Sequence, residues 1–140
     1  MEIEENKRLA RRAFEDLWNQ GKLDTVTDLY DANQVSYGLG MDVPAGAEGI
    51  KQFISIYRTA YPDTHFTIED QIAEDDKVVT RWTAVGSHQG ELMGIPPTGR
   101  RVTVTGITIN RIVGGKIMET WNNYDALGQL QQLGVVPPPS

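Results

Sequence analysis

One carboxylate in this sequence has neighbours that could give it a catalytic role. Asp125 follows the last predicted strand, and period-two alternation along that strand would put Trp121, Asn123 and Asp125 on one face. A carboxylate held against an indole loses hydration and becomes a better proton acceptor, as a general base must be. The same aspartate is equally well placed to cap the final helix, where its oxygen would accept backbone N–H bonds. From the sequence, both roles stay open.

The second group capable of proton chemistry is one of the two histidines. His88 ends a predicted strand and shares the face of Trp82, so a neutral imidazole there could polarise a carbonyl or relay a proton. The alternative is a structural role, in which His88 anchors the Gly90–Gly99 loop through a backbone hydrogen bond. His65 has no comparable neighbours, and we expect it at the surface or at a sheet edge.

Aromatic side chains occur on most of the elements expected around a pocket. Such rings suit a flat, apolar small molecule, although any one of them is more often part of the ordinary core. Two side chains, Tyr37 and Asn123, can also donate a hydrogen bond to a carbonyl oxygen. The predicted pocket residues are Trp18, Tyr37, Tyr57, Trp82, Trp121 and Asn123.

The composition narrows the classes of chemistry. There is no cysteine and there are two histidines, so we expect no disulfide, no thiolate nucleophile and no metal site. Nucleotide-binding glycine motifs are absent, and we expect no nucleotide, flavin or haem. The net charge of −6 argues against nucleic-acid binding, because phosphate contacts need clustered Lys and Arg. No segment approaches the roughly 18 apolar residues that span a bilayer, and residues 1–6 lack a signal-peptide pattern, so we expect a cytoplasmic protein without membrane contact.

The elements that position these residues can be read from the spacing of the apolar side chains. Asp24 is predicted to cap a short second helix, and Gly21 and Gly134 are predicted to follow helix C-termini. The period near 3.6 predicts four helices. They are expected over residues 3–18, after Asp24 with Val26, Leu29 and Tyr30 inward, from residue 50 to Pro62, and around Leu127, Leu130 and Leu133.

Segments rich in β-branched and aromatic residues predict the strands. They cover residues 35–38, 65–73, 78–88, 101–111 and 116–124. Helices followed by a meander of strands favour an α+β fold, with the helices packed on one face of a curved antiparallel sheet. We expect one domain over residues 1–134 and a Pro-rich tail over residues 135–140.

Two glycine-rich runs resemble those of a known family. The sequence GSHQGE at residues 86–91, followed by GIPPTGR at residues 94–100, is similar to a run in the SnoaL-like polyketide cyclases of the NTF2-like superfamily. One position departs from the family pattern, because Tyr37 stands where many members have a histidine. Further agreement in type and spacing comes from Tyr61-Pro62-Asp63, from Gly115-Lys116-Ile117 with Trp121 and Asp125, and from Gln131-Gln132-Leu133-Gly134.

The resemblance implies a fold and a reaction. The fold would be a cone-shaped α+β barrel, with the N-terminal helices on the concave face of a curved antiparallel sheet and a pocket between them. The reaction would be cofactor-independent closure of the last ring of a polycyclic aromatic polyketide by intramolecular aldol condensation. Asp125 would be the general base, and His88 or Tyr37 the electrophilic donor. A related cofactor-free hydroxylase and a non-catalytic binder of small apolar molecules stay open as alternatives.

The other face of the sheet predicts self-association. Strand residues of opposite parity to Trp82 include Val79, Arg81, Thr83 and Val85, which make a half-apolar face. A face of this kind is commonly buried against a second copy, most often about a two-fold axis. We therefore expect a homodimer or a higher homo-oligomer.

Overall fold

The computed structural model describes residues 2–137, and its helices lie at the two ends of the chain and between the first two strands. No helix within the described range is long and apolar enough to cross a membrane. In chain order the helical elements are α1 (Glu2–Arg12), a π-helical segment (Ala13–Asn19), a 3-10 turn (Leu23–Thr25), α2 (Val26–Leu29), α3 (Ala47–Ala60) and α4 (Ala126–Leu133).

Five strands form one curved, unclosed sheet. They are β1 (Tyr30–Tyr37), β2 (His65–Glu74), β3 (Lys77–Ser87), β4 (Arg101–Val113) and β5 (Lys116–Tyr124). Their order is β1-β5-β4-β3-β2, with β1 parallel to β5 and the other neighbouring pairs antiparallel. The predicted α+β class is confirmed, and the sheet keeps two free edges, β1 and β2, instead of closing into a barrel.

The main apolar core fills one end of the space between the helices and the sheet. A second, smaller core lies at the other end, where the chain following α3 meets α4, and it contains Tyr61 and Leu133. Between the two cores the packing is not closed. The main core consists of Ala10, Ala13, Leu17, Val26, Leu29, Tyr30, Ile50, Ile54, Val78, Ile112 and Ile117.

Several local expectations differ from the structure. Asp24 is wrong as a helix cap: it lies inside the 3-10 turn, and neither that turn nor α2 has a side-chain cap. Leu127 is 60 % exposed on α4 instead of facing inward. The glycines after two helices are confirmed, since Gly21 and Gly134 adopt φ values of 70° and 82°. Of the predicted tail, residues 138–140 lie outside the described residues, as does Met1.

Candidate functional site

A cavity opens between the π-helical segment, α3 and the inner face of the sheet. It encloses about 1000 Å³ that protein atoms do not occupy, part of it open to solvent. Small-molecule sites are typically roughly 300–1,000 Å³ and mostly apolar, with a few polar groups that orient the ligand. The cavity is therefore large enough for a molecule of several fused rings.

Aromatic rings form one wall of the cavity. Trp18 and Trp82, both predicted pocket residues, lie on either side of Phe66, with ring centroids 4.8 and 4.9 Å from it. Phe14, from the π-helical segment, contacts the same Phe66 at 5.6 Å. Gly106 faces Trp82 across the β3–β4 pair, and a Cβ there would lie 2.2 Å from the indole. A residue without a side chain is thus required for the indole to keep its position.

A hydrogen-bonded chain leads from this wall onto the sheet. The Trp82 indole N–H donates to the Thr108 hydroxyl at 2.9 Å, and Thr108 donates to Asn122 Oδ1 at 3.1 Å. The Asn122 amide N–H in turn donates to the backbone carbonyl of Tyr37 at 3.0 Å. This chain fixes the orientation of both polar side chains at the cavity surface.

A second polar group lies beside the first on the same strands. The Thr120 hydroxyl donates to Asn110 Oδ1 at 2.9 Å and accepts from Gln34 Nε2 at 3.2 Å. All three side chains are buried, and Asn110 and Thr120 line the cavity. Amides and hydroxyls on neighbouring strands therefore form a neutral polar floor, which we define as Thr108, Asn110, Thr120 and Asn122.

Three phenols lie on the remaining side. Tyr57, a predicted pocket residue, lines the cavity from α3 together with Tyr61 and Tyr124. Burial and a hydrogen bond to Tyr124 raise the pKa of Tyr57 above its ordinary value. Burial also raises the pKa of Tyr61, although the hydrogen bond from Gln129 opposes that effect. Both phenols are therefore neutral hydrogen-bonding groups near neutral pH.

The cavity has no charged lining in the part of the chain that the structure describes. No lining side chain there is an Asp, Glu, His, Lys or Arg. Nor does any group of three or more His, Asp or Glu side chains within residues 2–137 have the arrangement of a metal site. The lining can bind an uncharged ligand and hydrogen-bond its oxygen atoms.

Asp125 lies outside the cavity lining, on the exposed surface at the start of α4. Its Oδ1 accepts the backbone N–H of Gly128 at 2.9 Å, and its own N–H donates to the Thr105 carbonyl at 3.0 Å. This geometry supports the capping role of the two that the sequence leaves open.

His88 is fully buried but does not line the cavity. Its Nδ1 accepts the backbone N–H of Thr98 at 3.1 Å, and its own backbone groups pair with Arg100 and Gly99 at 2.9 and 2.8 Å. Because Nδ1 is an acceptor, the neutral ring carries its proton on Nε2, which has no partner among the described residues. The geometry supports the alternative in which His88 anchors the following loop. His65 lies exposed on the edge strand β2.

Three predicted pocket residues lie on the outer face of the sheet instead of in the cavity. Tyr37 is 46 % exposed, and its ring stacks on Trp121 with centroids 5.8 Å apart. The Tyr37 hydroxyl donates to Glu119 at 3.3 Å, and Asn123 is exposed on the same strand. The expectation that Tyr37, Trp121 and Asn123 face the pocket is corrected.

A shift in strand register explains this correction. Arg111 pairs with Glu119, whereas Ile112 pairs with Ile117, so Met118 is an extra residue on β5. The side-chain alternation changes face at such a point. Beyond it, the polar residues Thr120 and Asn122 and then Tyr124 point inward, and Trp121 points outward.

The residues that sequence reasoning missed are mostly the neutral polar ones. Thr108 and Asn110 alternate with isoleucines along β4, and Thr120 and Asn122 alternate similarly on β5. Polar residues two apart on neighbouring antiparallel strands indicate a shared polar patch. In a half-buried sheet that pattern is also typical of a solvent-facing side, so it does not identify a site by itself.

The chain has relatives along most of its length. It matches the SnoaL-like polyketide cyclase family over residues 8–133. It is 32% identical over 129 residues to aklanonic acid methyl ester cyclase DnrD of Streptomyces peucetius, covering 90% of this chain and 88% of that protein. Nogalonic acid methyl ester cyclase of Streptomyces nogalater is 29% identical over 119 residues, covering 84% and 89%.

Solved structures agree with this assignment. TsrD from Streptomyces laurentii superposes with a TM-score of 0.85 at 28% identity, covering 94% of this chain and 96% of that one. AclR from Streptomyces galilaeus gives a TM-score of 0.85 at 28% identity, covering 99% and 86%. The curved sheet with helices over a cavity defines an α+β protein of the NTF2-like class. Within that class, the chain belongs to the SnoaL-like polyketide cyclase family.

Proposed function

We propose that this protein closes a ring in an uncharged, polycyclic, polyketide-type ester by intramolecular aldol condensation, without a cofactor. The observation that carries the proposal is the cavity, in which aromatic rings face a neutral polar floor. The relatives named above act, by name, on methyl esters of aklanonic and nogalonic acid. A fused-ring ester matches both the aromatic wall and the lack of charge.

The proton balance of an aldol closure suits a neutral site. A bond forms between the carbon beside one carbonyl and the carbon of another carbonyl, a C–H bond breaks, and an O–H bond forms. The proton passes from the substrate to its own product, so an enol form of the substrate can react without a net proton donor. The site's part is to hold the two carbons together and to stabilise the developing alkoxide by hydrogen bonds.

The residues predicted as acid–base groups stay predictions. Asp125 as general base and His88 as electrophilic donor would both need to act across residues that separate them from the cavity. The neutral floor and the phenols are in contact with the cavity and are the better-supported partners of a carbonyl oxygen.

Selection for the ester is the test of this proposal. Burying a carboxylate with no cationic partner costs several kcal/mol, so we expect kcat/KM to be about 100-fold or more higher for the methyl ester than for the free acid. Aklanonic acid methyl ester is the probe, and a ring-closed product of unchanged mass is the readout. The relative from Streptomyces peucetius is the positive control.

Other outcomes would contradict the proposal. A product heavier by one oxygen atom would identify a hydroxylase. Tight binding without turnover, while the positive control is active, would identify a binding protein. Equal turnover of the acid and the ester would show that a cation reaches the substrate.

We also propose that a second copy covers the outer face of the sheet. Cross-strand pairing aligns one apolar row over all five strands: Tyr37, Trp121, Ile109, Val79 and Ile72. A two-fold axis at the centre of this row would bring its aromatic end over the Ile72 end of the partner copy, which makes the row self-complementary. A cytoplasmic location stays a prediction from the composition.

A further inference from the structure

The GSHQGE run packs around a single side chain, Tyr61. A Cβ on Gly86 would lie 2.9 Å from the Tyr61 Cβ, so the glycine makes room for the phenol. The His88 ring contacts the Tyr61 ring at a centroid distance of 5.6 Å. The Gly90 backbone N–H donates to the Ala60 carbonyl at 3.1 Å, one residue before Tyr61. The run therefore fixes both the backbone and the ring of this tyrosine.

Contacts from other elements complete the support. Tyr57, one helical turn earlier, stacks on Tyr61 with an interplanar angle of 18°. Asp63 accepts the Ser87 backbone N–H at 2.7 Å, which ties the segment after α3 to the end of β3 and lowers the pKa of Asp63. Tyr61 itself is 6 % exposed and lines the cavity. Its ring has little freedom to move.

The hydroxyl of Tyr61 is paired in a way that leaves one donor for the cavity. Gln129, which is 5 % exposed and also lines the cavity, donates its Nε2–H to the Tyr61 oxygen at 2.8 Å. The phenolic proton is then available to another acceptor. If the amide is turned over, the phenol donates to Gln129 and the amide NH₂ is available instead. In both orientations the pair offers one N–H or O–H.

We infer that Tyr61 and Gln129 form the oxyanion-binding pair of the cavity, and that the GSHQGE run is conformational support for Tyr61. This inference rests on the proposed function. The hydrogen bond goes to the carbonyl oxygen that gains negative charge as the new carbon–carbon bond forms. Tyr61 is the residue that touches the substrate, and His88 and Gly86 are positioning residues.

The electrostatics agree with a donor and not a base. Burial raises the pKa of Tyr61, which keeps the phenol protonated at neutral pH. A preorganised donor in a water-poor site stabilises developing charge more than it stabilises the ground-state carbonyl. Its removal therefore lowers kcat and leaves KM nearly unchanged.

Tyr61→Phe tests the inference with the smallest possible change. We expect kcat to fall about 10²- to 10³-fold with KM within about threefold, since that is the usual cost of one oxyanion donor. Tyr37→Phe is the matched control, because it removes a phenolic hydroxyl from the outer face. Gln129→Leu, which removes the partner of the phenol, is the second variant should Tyr61→Phe not fold, and we expect about a tenfold loss of kcat. Unchanged kcat in the folded variant tested would overturn the inference.

A binding experiment separates this inference from the proposed function. Tryptophan fluorescence reports the affinity for 1-naphthol and for 1-methylnaphthalene, which differ in one hydrogen-bonding group. We expect Tyr61→Phe to weaken 1-naphthol about threefold to tenfold and to leave 1-methylnaphthalene unchanged. That result holds even for a protein with no cyclase activity. Equal changes for the two compounds would overturn the donor pair.

Discussion

Asp125 contributes to the cavity through the helix that it caps. Its carboxylate satisfies a free backbone N–H at the start of α4, and α4 carries Gln129 to the cavity wall. His88 acts in a comparable way, because its ring supports Tyr61 while its Nδ1 holds Thr98. Both residues have chemistry typical of an active site, yet each is one contact removed from the space where a ligand fits.

Replacing Asp125 distinguishes a cap from a base. Asparagine caps helices about as well as aspartate, so we expect Asp125→Asn to keep both stability and turnover. Asp125→Ala is expected to cost about 1 kcal/mol in the free energy of unfolding, with turnover per folded molecule nearly normal. Urea unfolding and steady-state kinetics on the two variants are the measurements. A folded, inactive Asp125→Asn would return the general-base role to this residue.

At the scale of elements, the register of β5 decides which residues meet the ligand. The sequence predicts the ends of β3 and β5 to within one residue, because β-branched and aromatic runs are bounded there by glycine and acidic turns. The face of β5 could not be predicted in the same way, since the extra residue at Met118 depends on pairing with β4. The bulky Trp121 also favours the inward face by its size alone, but stacking on Tyr37 gives it an apolar contact outside.

Other elements were less visible for related reasons. β1 starts at Tyr30, five residues before the predicted residue 35, because Asp31, Asn33 and Gln34 interrupt its apolar pattern. Gln34 is nevertheless buried, and its amide bonds to Thr120 satisfy it there. The π-helical segment could not be distinguished from a regular helix, since both bury residues at helical spacing. Phe14 and Trp18 reach the cavity from this segment.

The pairing of Gly106 with Trp82 gives a prediction at this scale. A methyl group at Gly106 would overlap the rigid indole, so we expect Gly106→Ala to destabilise the fold by about 1–3 kcal/mol. The same substitution in a Trp82→Phe background is expected to cost clearly less, because the smaller ring lacks the atoms that would be overlapped. Urea unfolding of the four proteins completes the cycle. An equal cost in both backgrounds would show that the glycine serves another purpose.

At the scale of the whole molecule, the two faces of the sheet have different partners. The inner face, with the helices, encloses the cavity, while the outer face leaves Tyr37 and Ile72 exposed by 46 % and 66 %. Exposed apolar side chains aligned in one row over five strands are typical of a contact surface. The register of four strand pairs produces this alignment, so it was not apparent from parity on β3 alone.

Ile72→Arg tests the proposed dimer with little risk to folding, because the side chain is so exposed. We expect the wild-type protein to have about twice its 15.6 kDa chain mass by light scattering at micromolar concentration, and the variant to shift toward the monomer. Gln52→Arg, an equal change of charge on the exposed side of α3, is the control and is expected to stay dimeric. A monomeric wild-type protein would contradict the proposed assembly.

The pH dependence of kcat/KM tests most directly whether the cavity works with uncharged groups. Burial moves deprotonation of Tyr57 and Tyr61 above the ordinary phenol value, so the limb where activity is lost shifts to higher pH and not lower. For the methyl ester, corrected for the substrate's own titration, we predict a flat kcat/KM between about pH 5 and pH 9. A bell-shaped profile inside that window, with a limb that Asp125→Asn or His88→Gln removes, would contradict the account and identify an acid–base residue.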